Sequence, residues 1–94
     1  MALDVQHNPD QKKFIVYSDD GAESHLKYEK RKGNTLDYVS TYVPVSQRGQ
    51  GIASGIVKEA LDYARQNDFY VIPSCPFVSD YMDRHPEYAD LKPS

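Results

Sequence analysis

The segment that decides the fold is residues 41–66, which read TYVPVSQRGQGIASGIVKEALDYARQ. Its beginning carries threonine, tyrosine and valine, which favour a strand. From Ile52 onward the apolar residues recur at helical spacing, so they share one face of a helix that fades near Asn67. These positions are Ile52, Ile56, Val57, Ala60, Leu61 and Ala64. The segment therefore predicts a strand, a turn containing Gly49 and Gly51, and an amphipathic helix.

The residues before this segment predict antiparallel strands joined by tight turns. Residues that favour β-structure predict strands at 12–17, 22–29 and 35–43, and a weaker one at 3–6. In the strand at 12–17, Phe14 and Val16 would lie on one face, with Ile15 and Tyr17 on the other. Residues 18–21 and 32–34 are rich in Asp, Gly and Asn, which tolerate tight turns. This half of the chain is therefore expected to form hairpins.

The residues after the segment predict one more strand and a short helix. The apolar run 69–72 ends at Pro73 and suits a buried strand. The helix would begin after Pro76 and stop before Pro86, with a frayed tail at 89–94. A strand–helix–strand unit implies a parallel pair with a right-handed crossover. We predict one domain, residues 1–94, of the α+β (mixed α/β) class, with helices packed on a mostly antiparallel sheet.

Composition limits the classes of function. The formal net charge is −3, whereas a nucleic-acid-binding domain is usually basic. The sequence has no apolar run long enough for a membrane span or a signal peptide. Cys75 is the only cysteine, and the histidines lack metal-ligand spacing. We expect a cytoplasmic monomer or weak homodimer without a metal, and without membrane or nucleic acid as partner.

The loop between the predicted strand and helix has the chemistry of an anion site. Gly49 and Gly51 lack Cβ atoms, so the backbone can turn sharply and approach a ligand closely. The first N–H groups of a helix have no intrahelical partner and lie at the positive end of its dipole. They can bind phosphate together, and Arg48 adds a guanidinium. A tight turn alone would also explain both glycines, and the loop matches neither a Walker loop nor a dinucleotide fingerprint.

Two motifs in this sequence resemble those of a known superfamily. The stretch RGQGIA at residues 48–53 is similar to the Arg/Gln-x-x-Gly-x-Gly/Ala motif of GCN5-related N-acetyltransferases. The stretch IPSCPFV at residues 72–78, followed by Tyr81 and by RHPEY at residues 84–88, resembles the narrower family of short, single-domain GCN5-like proteins. The resemblance covers residues 35–91. It implies a GCN5-like acetyltransferase fold and acetyl-coenzyme A (acetyl-CoA) as the cofactor.

The resemblance also implies roles for individual residues. The backbones of Val43 and Val45 would pair with the pantetheine arm of the cofactor. The pyrophosphate would be surrounded by Arg48, Gly49, Gln50, Gly51, Ile52 and Ala53. The implied reaction is acetyl transfer from acetyl-CoA to an amine that the sequence does not identify. Two other functions are kept open: a cofactor-binding module without turnover, and a protein-interaction domain whose glycines only form a turn.

Two residues are candidates for the chemistry. Members of the short family usually carry a histidine where this chain has Ser40, so Ser40 is a candidate to position a water molecule or the amine. The resemblance places Cys75 near the cofactor's sulfur, where it would contact the cofactor or accept the acetyl group. Its other interpretation is a small buried hydrophobic residue. A covalent role would need a thiol whose pKa is lowered by a helix N-terminus or a nearby cation.

The three histidines are interpreted without a catalytic role. His85 is expected to end the short helix and to interact with its dipole. His25 is expected in solvent, on the polar face of a hairpin strand. His7 is expected near an unstructured start.

Overall fold

The computed structural model describes residues 3–93, which form one five-stranded sheet with helices against it. The strands are β1 (Gln6–Asn8), β2 (Lys13–Tyr17), β3 (Glu23–Arg31), β4 (Thr35–Tyr42) and β5 (Tyr70–Ile72). They lie in the order β1-β2-β3-β4-β5; β1 to β4 are antiparallel, and β5 runs parallel to β4. The α-helices are α1 (Ile52–Gln66) and α2 (Pro76–Arg84), and 3-10 helices cover Val45–Gln47 and Pro86–Leu91. This is the α+β fold that the sequence predicts.

The hydrophobic core lies between the sheet and α1. All six apolar residues predicted to share one face of α1 are buried, which confirms that prediction. They pack against Phe14 and Val16 of β2, Leu26 and Tyr28 of β3, and Leu36 and Tyr38 of β4. The Tyr38 hydroxyl donates a hydrogen bond to the Ala60 carbonyl at 2.5 Å. Burial, with the nearby Tyr28 and Tyr63, raises the pKa of Tyr38, so this phenol stays a neutral donor.

The first strand differs from the sequence prediction of a strand at residues 3–6. The observed strand β1 is Gln6–Asn8, and His7 is not in an unstructured segment. Its ring stacks on Phe14 with centroids 4.4 Å apart, and its Nε2 atom lies 2.7 Å from Tyr28 Oη. Burial, together with Lys30, lowers the pKa of His7. The prediction was wrong because His7 packs here as an aromatic ring, which a hydrophobic pattern does not count.

The tail also differs from the prediction of fraying from residue 89. The 3-10 helix Pro86–Leu91 buries Tyr88 and Leu91 against the core. Asp90 accepts two hydrogen bonds from Arg65, at 2.9 and 3.0 Å. These contacts order the tail through Leu91, whereas Ser94 lies outside the described residues.

Residues 3–93 lack two kinds of functional element. None of the helices in this range is long and apolar enough to cross a bilayer. The same residues contain no group of three or more His, Cys, Asp or Glu side chains placed to hold a metal ion.

Candidate cofactor cleft

The cleft starts where β4 and β5 part. The two strands pair only over three residues each, from Thr35↔Tyr70 to Asp37↔Ile72. The Cys75 N–H then donates to the Tyr38 carbonyl at 2.9 Å, after which the chain turns away into α2. Beyond that point β4 continues to Tyr42 with β3 as its only strand partner in the described part of the chain. Residues 39–42 therefore offer a strand edge that an extended ligand could pair with.

A β-bulge marks the same point on the other edge of β4. Tyr28 lies opposite Tyr38, but Lys27 lies opposite Ser40, so β4 contains one additional residue, Val39. A bulge bends its strand and increases the local twist. The second half of β4 is thereby turned relative to the first half.

The fork between β4 and β5 is held by a buried aspartate. Asp37 is only 7% exposed, and its carboxylate accepts from the Ser74 hydroxyl at 2.5 Å. The Arg31 guanidinium donates to the other carboxylate oxygen at 3.0 and 3.2 Å. Ionic hydrogen bonds compensate a carboxylate for lost water. The two strands are thus fixed together immediately before they part.

The glycine loop turns the chain from β4 into α1. Val45 lies beyond the predicted strand at 35–43, where it begins a 3-10 turn, and its carbonyl accepts the Arg48 N–H at 3.2 Å. Gly49 and Gly51 have φ angles of +83° and +78°, which side-chain-bearing residues rarely adopt. Gly51 is the N-cap of α1, and within residues 3–93 no side chain caps this helix. The first-turn N–H groups of α1 are therefore free to bind an anion.

Arg48 connects the loop to the end of β4. Its Nε atom donates to the Val43 carbonyl at 3.0 Å, and its side chain is otherwise exposed. The guanidinium still has free N–H groups, because only one of its five donors is used in this contact. Arg48 can therefore bind an anion while it holds the turn in place.

These elements enclose a cleft of about 420 Å³. Five of the residues predicted from the sequence line it: Val43, Arg48, Gly49, Gly51 and Ala53. Tyr42 and Gln47, which adjoin the predicted residues in sequence, also line it. Three further lining residues were missed by the sequence analysis: Thr41, Ser54 and Phe77. The sequence offered a signal for Phe77, because its position on α2 lies off the face that Val78 and Met82 bury. In the structure its side chain is accordingly 40% exposed.

Five predicted residues lie outside this lining, and Cys75 is described separately below. Ile52 points its side chain into the core, so only its backbone is available to a ligand. Val45 is 77% exposed, and Gln50 is exposed in the loop. Ser40 is exposed on β4, opposite Lys27.

Cys75 lies directly beneath the cleft wall. It is the N-cap residue of α2, as expected for a residue between the strand and the short helix, and it is only 6% exposed. Its Sγ atom lies 3.4 Å from Oγ1 of Thr41, which does line the cleft. The thiol is thus one side chain away from the cavity, so a ligand would reach it only beside or past Thr41.

Two histidines flank the region. His25 was predicted to lie in solvent, but it is half-buried. Its Nδ1 atom lies 2.9 Å from Glu23 Oε2, and its ring centroid lies 5.6 Å from that of Tyr42. His85 follows α2 as its C-cap, in agreement with the prediction of a helix-end residue, and stacks on Tyr81 with centroids 4.0 Å apart.

Comparisons with known proteins identify the family and the fold. The sequence model of the GCN5-related N-acetyl-transferase family matches residues 13–91. The chain is 29% identical to Protein NATD1 of Xenopus tropicalis over 87 residues, covering 90% of this chain and 79% of that protein. It is 30% identical to Protein NATD1 of Homo sapiens over 84 residues, covering 87% and 74% of the two chains.

The fold itself has a solved counterpart. The NMR solution structure of a GCN5-like protein from Staphylococcus aureus, described as a candidate N-acetyltransferase, superposes with a TM-score of 0.75. The superposition covers 98% of this chain and 89% of the other, at 22% sequence identity. The family match and the shared fold lead to one conclusion: this chain belongs to the family of GCN5-related N-acetyltransferases.

Proposed function

We propose that this protein binds acetyl-CoA in the cleft between β4 and the start of α1 and transfers the acetyl group to a primary amine. The observation that carries the proposal is the uncapped start of α1, preceded by two glycines with positive φ and located beside the free edge of β4. Membership of the family supports acetyl-CoA as the cofactor.

The phosphates of the cofactor explain the glycine loop. The first N–H groups of α1 would donate to the pyrophosphate, where the helix dipole favours negative charge. Arg48 would add a fork of donors suited to phosphate oxygens. Gly49 and Gly51 keep this approach open, since a Cβ built on either meets no other described atom within 4 Å.

The pantetheine arm explains the free edge of β4. Its two amide groups would hydrogen-bond to backbone groups of residues 39–43, as an added strand does. Val43 is the best-placed residue, because it lines the cleft and directly follows the free edge of β4. The thioester would then lie toward Thr41 and Cys75.

Catalysis of acetyl transfer would rely mainly on holding the amine next to the thioester. A neutral amine held against the thioester carbonyl attacks the carbonyl carbon, and a backbone N–H at the end of β4 stabilises the oxyanion. The C–S bond would then break, and the departing thiolate would take up the proton that the attacking nitrogen loses as the amide forms. The ammonium form of the amine must first lose its proton to water, with Ser40 as the side chain that positions this water.

A cofactor-binding module without turnover is the second candidate. Ser40 stands where related short proteins usually have a histidine, so a catalytic base is not supplied at that position. Cys75 is buried behind Thr41, which favours a packing role for its thiol over a covalent one.

Calorimetry followed by an activity assay tests both candidates. CoA and acetyl-CoA should bind with similar affinity, because the phosphates and pantetheine provide most of the contacts. Release of CoA from acetyl-CoA with a panel of primary amines should then exceed the rate without protein. Binding without amine-dependent release would support the module, and absence of binding would reject both candidates.

The setting of the reaction is part of the proposal. A net charge of −3 and a single buried thiol suit a cytoplasmic protein that acts as a monomer or weak homodimer. The amine acceptor would be a small molecule or a protein side chain, since the cleft is open on one side.

A further inference from the structure

A histidine lies beside a carboxylate on the face of the sheet that points away from α1. Leu26 and Tyr28 of β3 are buried in the core, so strand alternation places Glu23 and His25 on the opposite, outer face. Glu23 Oε2 lies 2.9 Å from His25 Nδ1, and Lys13 Nζ lies 3.7 Å from the same oxygen. The His25 side chain keeps 19% of its surface exposed, so its ring can be reached from the outer face.

The contact with Glu23 decides which nitrogen of the neutral His25 ring carries the proton. An ionised carboxylate only accepts hydrogen bonds, so Nδ1 must be the donor, and the lone pair is then on Nε2. In the described part of the chain the ring forms no second hydrogen bond, so Nε2 is open to a proton from outside. In serine hydrolases a carboxylate likewise holds the imidazole base in one tautomer and stabilises the imidazolium that forms.

His25 lies across from the open half of β4. It is in register with Tyr42, which lines the cofactor cleft, and the two ring centroids are 5.6 Å apart. Ser40 lies two residues earlier on the same face of β4, which makes it the diagonal neighbour of His25. Diagonal neighbours are roughly 7–8 Å apart, a gap that a histidine ring and one water molecule can bridge.

The outer face is also the side from which an amine can approach a thioester at the free edge of β4. Both α-helices pack on the inner face, where Thr41 Oγ1 lies 3.4 Å from the buried Cys75 Sγ. On the outer face, Ser40 and Tyr42 are both exposed. An amine that reaches the thioester from this side passes Ser40 and the His25 ring behind it.

We propose that the Glu23–His25 pair is the general base for acetyl transfer, and that a water molecule held by Ser40 passes the ammonium proton to His25 Nε2. This inference rests on the proposed function, because it needs an amine beside a bound thioester. The base on β3 takes the role of the histidine that related short proteins usually carry at position 40.

The proton and electron movements balance without a further reactant. The ammonium group gives one proton through the water to Nε2, and the nitrogen lone pair then attacks the thioester carbonyl carbon. The C–S electron pair leaves with the sulfur, which takes the second proton that the nitrogen loses. His25 finally releases its proton to solvent, and Glu23 stabilises the imidazolium until then.

The first test compares two acceptor amines of similar size, ethylamine and 2,2,2-trifluoroethylamine, in the unchanged protein and in His25→Gln. Near neutral pH ethylamine is mainly an ammonium ion and needs a base, whereas the fluorinated amine is mainly neutral. His25→Gln should lower acetyl transfer to ethylamine about 100-fold and transfer to the fluorinated amine less than about threefold. CoA affinity, measured by calorimetry, should be unchanged. His85→Gln is the matched control at the end of α2, and it should leave both rates unchanged.

The second test needs no substrate. Long-range ¹H–¹⁵N NMR spectra should show neutral His25 protonated at Nδ1. In Glu23→Ala the proton should move mainly to Nε2, the nitrogen that a free histidine side chain prefers to protonate. The tautomer of His85 should not change in this variant.

The outcomes separate this inference from the proposed function. Equal losses with both amines in His25→Gln would mean that the ring only packs, and no loss with ethylamine, or a proton on Nε2 in the unchanged protein, would also reject the base. All three results leave amine-dependent CoA release by the unchanged protein intact. If no amine of the panel releases CoA from bound acetyl-CoA, turnover and this base are rejected together, whereas cofactor binding still stands.

Discussion

The two halves of β4 have different surroundings, although they belong to one strand. Residues 35–38 are all buried, and the strand is paired with β3 on one edge and β5 on the other. Residues 39–42 lie beyond the bulge, are partly or fully exposed, and have a free edge that borders the cleft. The closed half contributes Leu36 and Tyr38 to the core, and the open half contributes Thr41 and Tyr42 to the cavity.

The difference shows how a domain of 94 residues can hold both a core and a binding site. A small domain buries only a modest share of its surface, so few residues can be spared from the core. Here a single additional residue, Val39, divides the strand into a stabilising half and a binding half. Substitutions in the two halves should therefore affect different measurements.

The largest effect should come from the core of the closed half. Leu36 is 1% exposed, and Leu36→Ala should lower the free energy of unfolding by about 2–5 kcal/mol, because it removes buried methyl groups and leaves a cavity. Ser40→Ala, in the open half, should change it by less than about 0.5 kcal/mol. Chemical denaturation measures both free energies of unfolding. Comparable losses for the two variants would contradict the division of β4 into a stabilising half and a binding half.

The next effect should be on affinity, at the N-cap of α1. Gly51→Val places a branched side chain at a φ of +78°, where the ligand would approach, so CoA binding should weaken by at least about 3 kcal/mol. Gly33→Val is the matched control, since Gly33 has a φ of +74° and similarly open surroundings in the β3–β4 turn. Both should lose about 1–2 kcal/mol of stability from strain. A folded Gly51→Val protein with unchanged affinity would contradict the phosphate-loop assignment.

Two arginines should separate an effect on affinity from an effect on stability. Arg48→Ala should weaken CoA binding by about 1–3 kcal/mol, the contribution of hydrogen bonds from a cation to phosphate. Arg31→Ala should leave the affinity unchanged and lower the free energy of unfolding by about 1–2 kcal/mol, because Asp37 loses its cation while Arg31 itself is half exposed. Calorimetry and denaturation of both variants provide the four values. A loss of affinity in Arg31→Ala, together with a loss of stability but not of affinity in Arg48→Ala, would contradict the roles assigned to the two halves of β4.

The smallest effect should come from Cys75, which touches both halves of β4. Cys75→Ala should change the affinity for CoA by less than about tenfold, or ~1.4 kcal/mol, because the thiol contacts the cleft only through Thr41. Bound CoA should slow alkylation of this thiol, which mass spectrometry can follow. Equal alkylation rates with and without saturating CoA would mean that Cys75 does not lie beside the cleft. Acetylated Cys75 during turnover, together with loss of transfer in the variant, would instead support a covalent route.

The parts of the fold that local patterns determine could be predicted from the sequence. The buried face of α1 and the turns at residues 18–21 and 32–34 depend on residues near in sequence, and the parallel β4–β5 pair follows from the fixed handedness of a strand–helix–strand crossover. The order of the tail and the position of β1 could not be predicted, because they depend on distant contacts. Arg65 must meet Asp90, and His7 must meet Tyr28, before those contacts stabilise anything.

The candidate site shows the same limit. The loop from Arg48 to Ala53 could be identified because its glycines and the start of α1 are contiguous in sequence. Thr41, Ser54 and Phe77 were missed because the cleft wall depends on how far β4, α1 and α2 lie from one another. The bulge at Val39 left no sign in the sequence, since any residue can occupy such a position.

The bulge also has a consequence for how the gene can change over evolutionary time. Val39 has no cross-strand partner of its own, so many side chains should be accepted at this codon. Loss of this codon would remove the bulge and the bend that it introduces, whereas gain of a further codon would shift the pairing and turn every following side chain to the opposite face. Thr41 would then leave Cys75, and Tyr42 would leave His25. Position 39 should therefore accept many residue types, whereas the number of residues between Tyr38 and Tyr42 should stay constant.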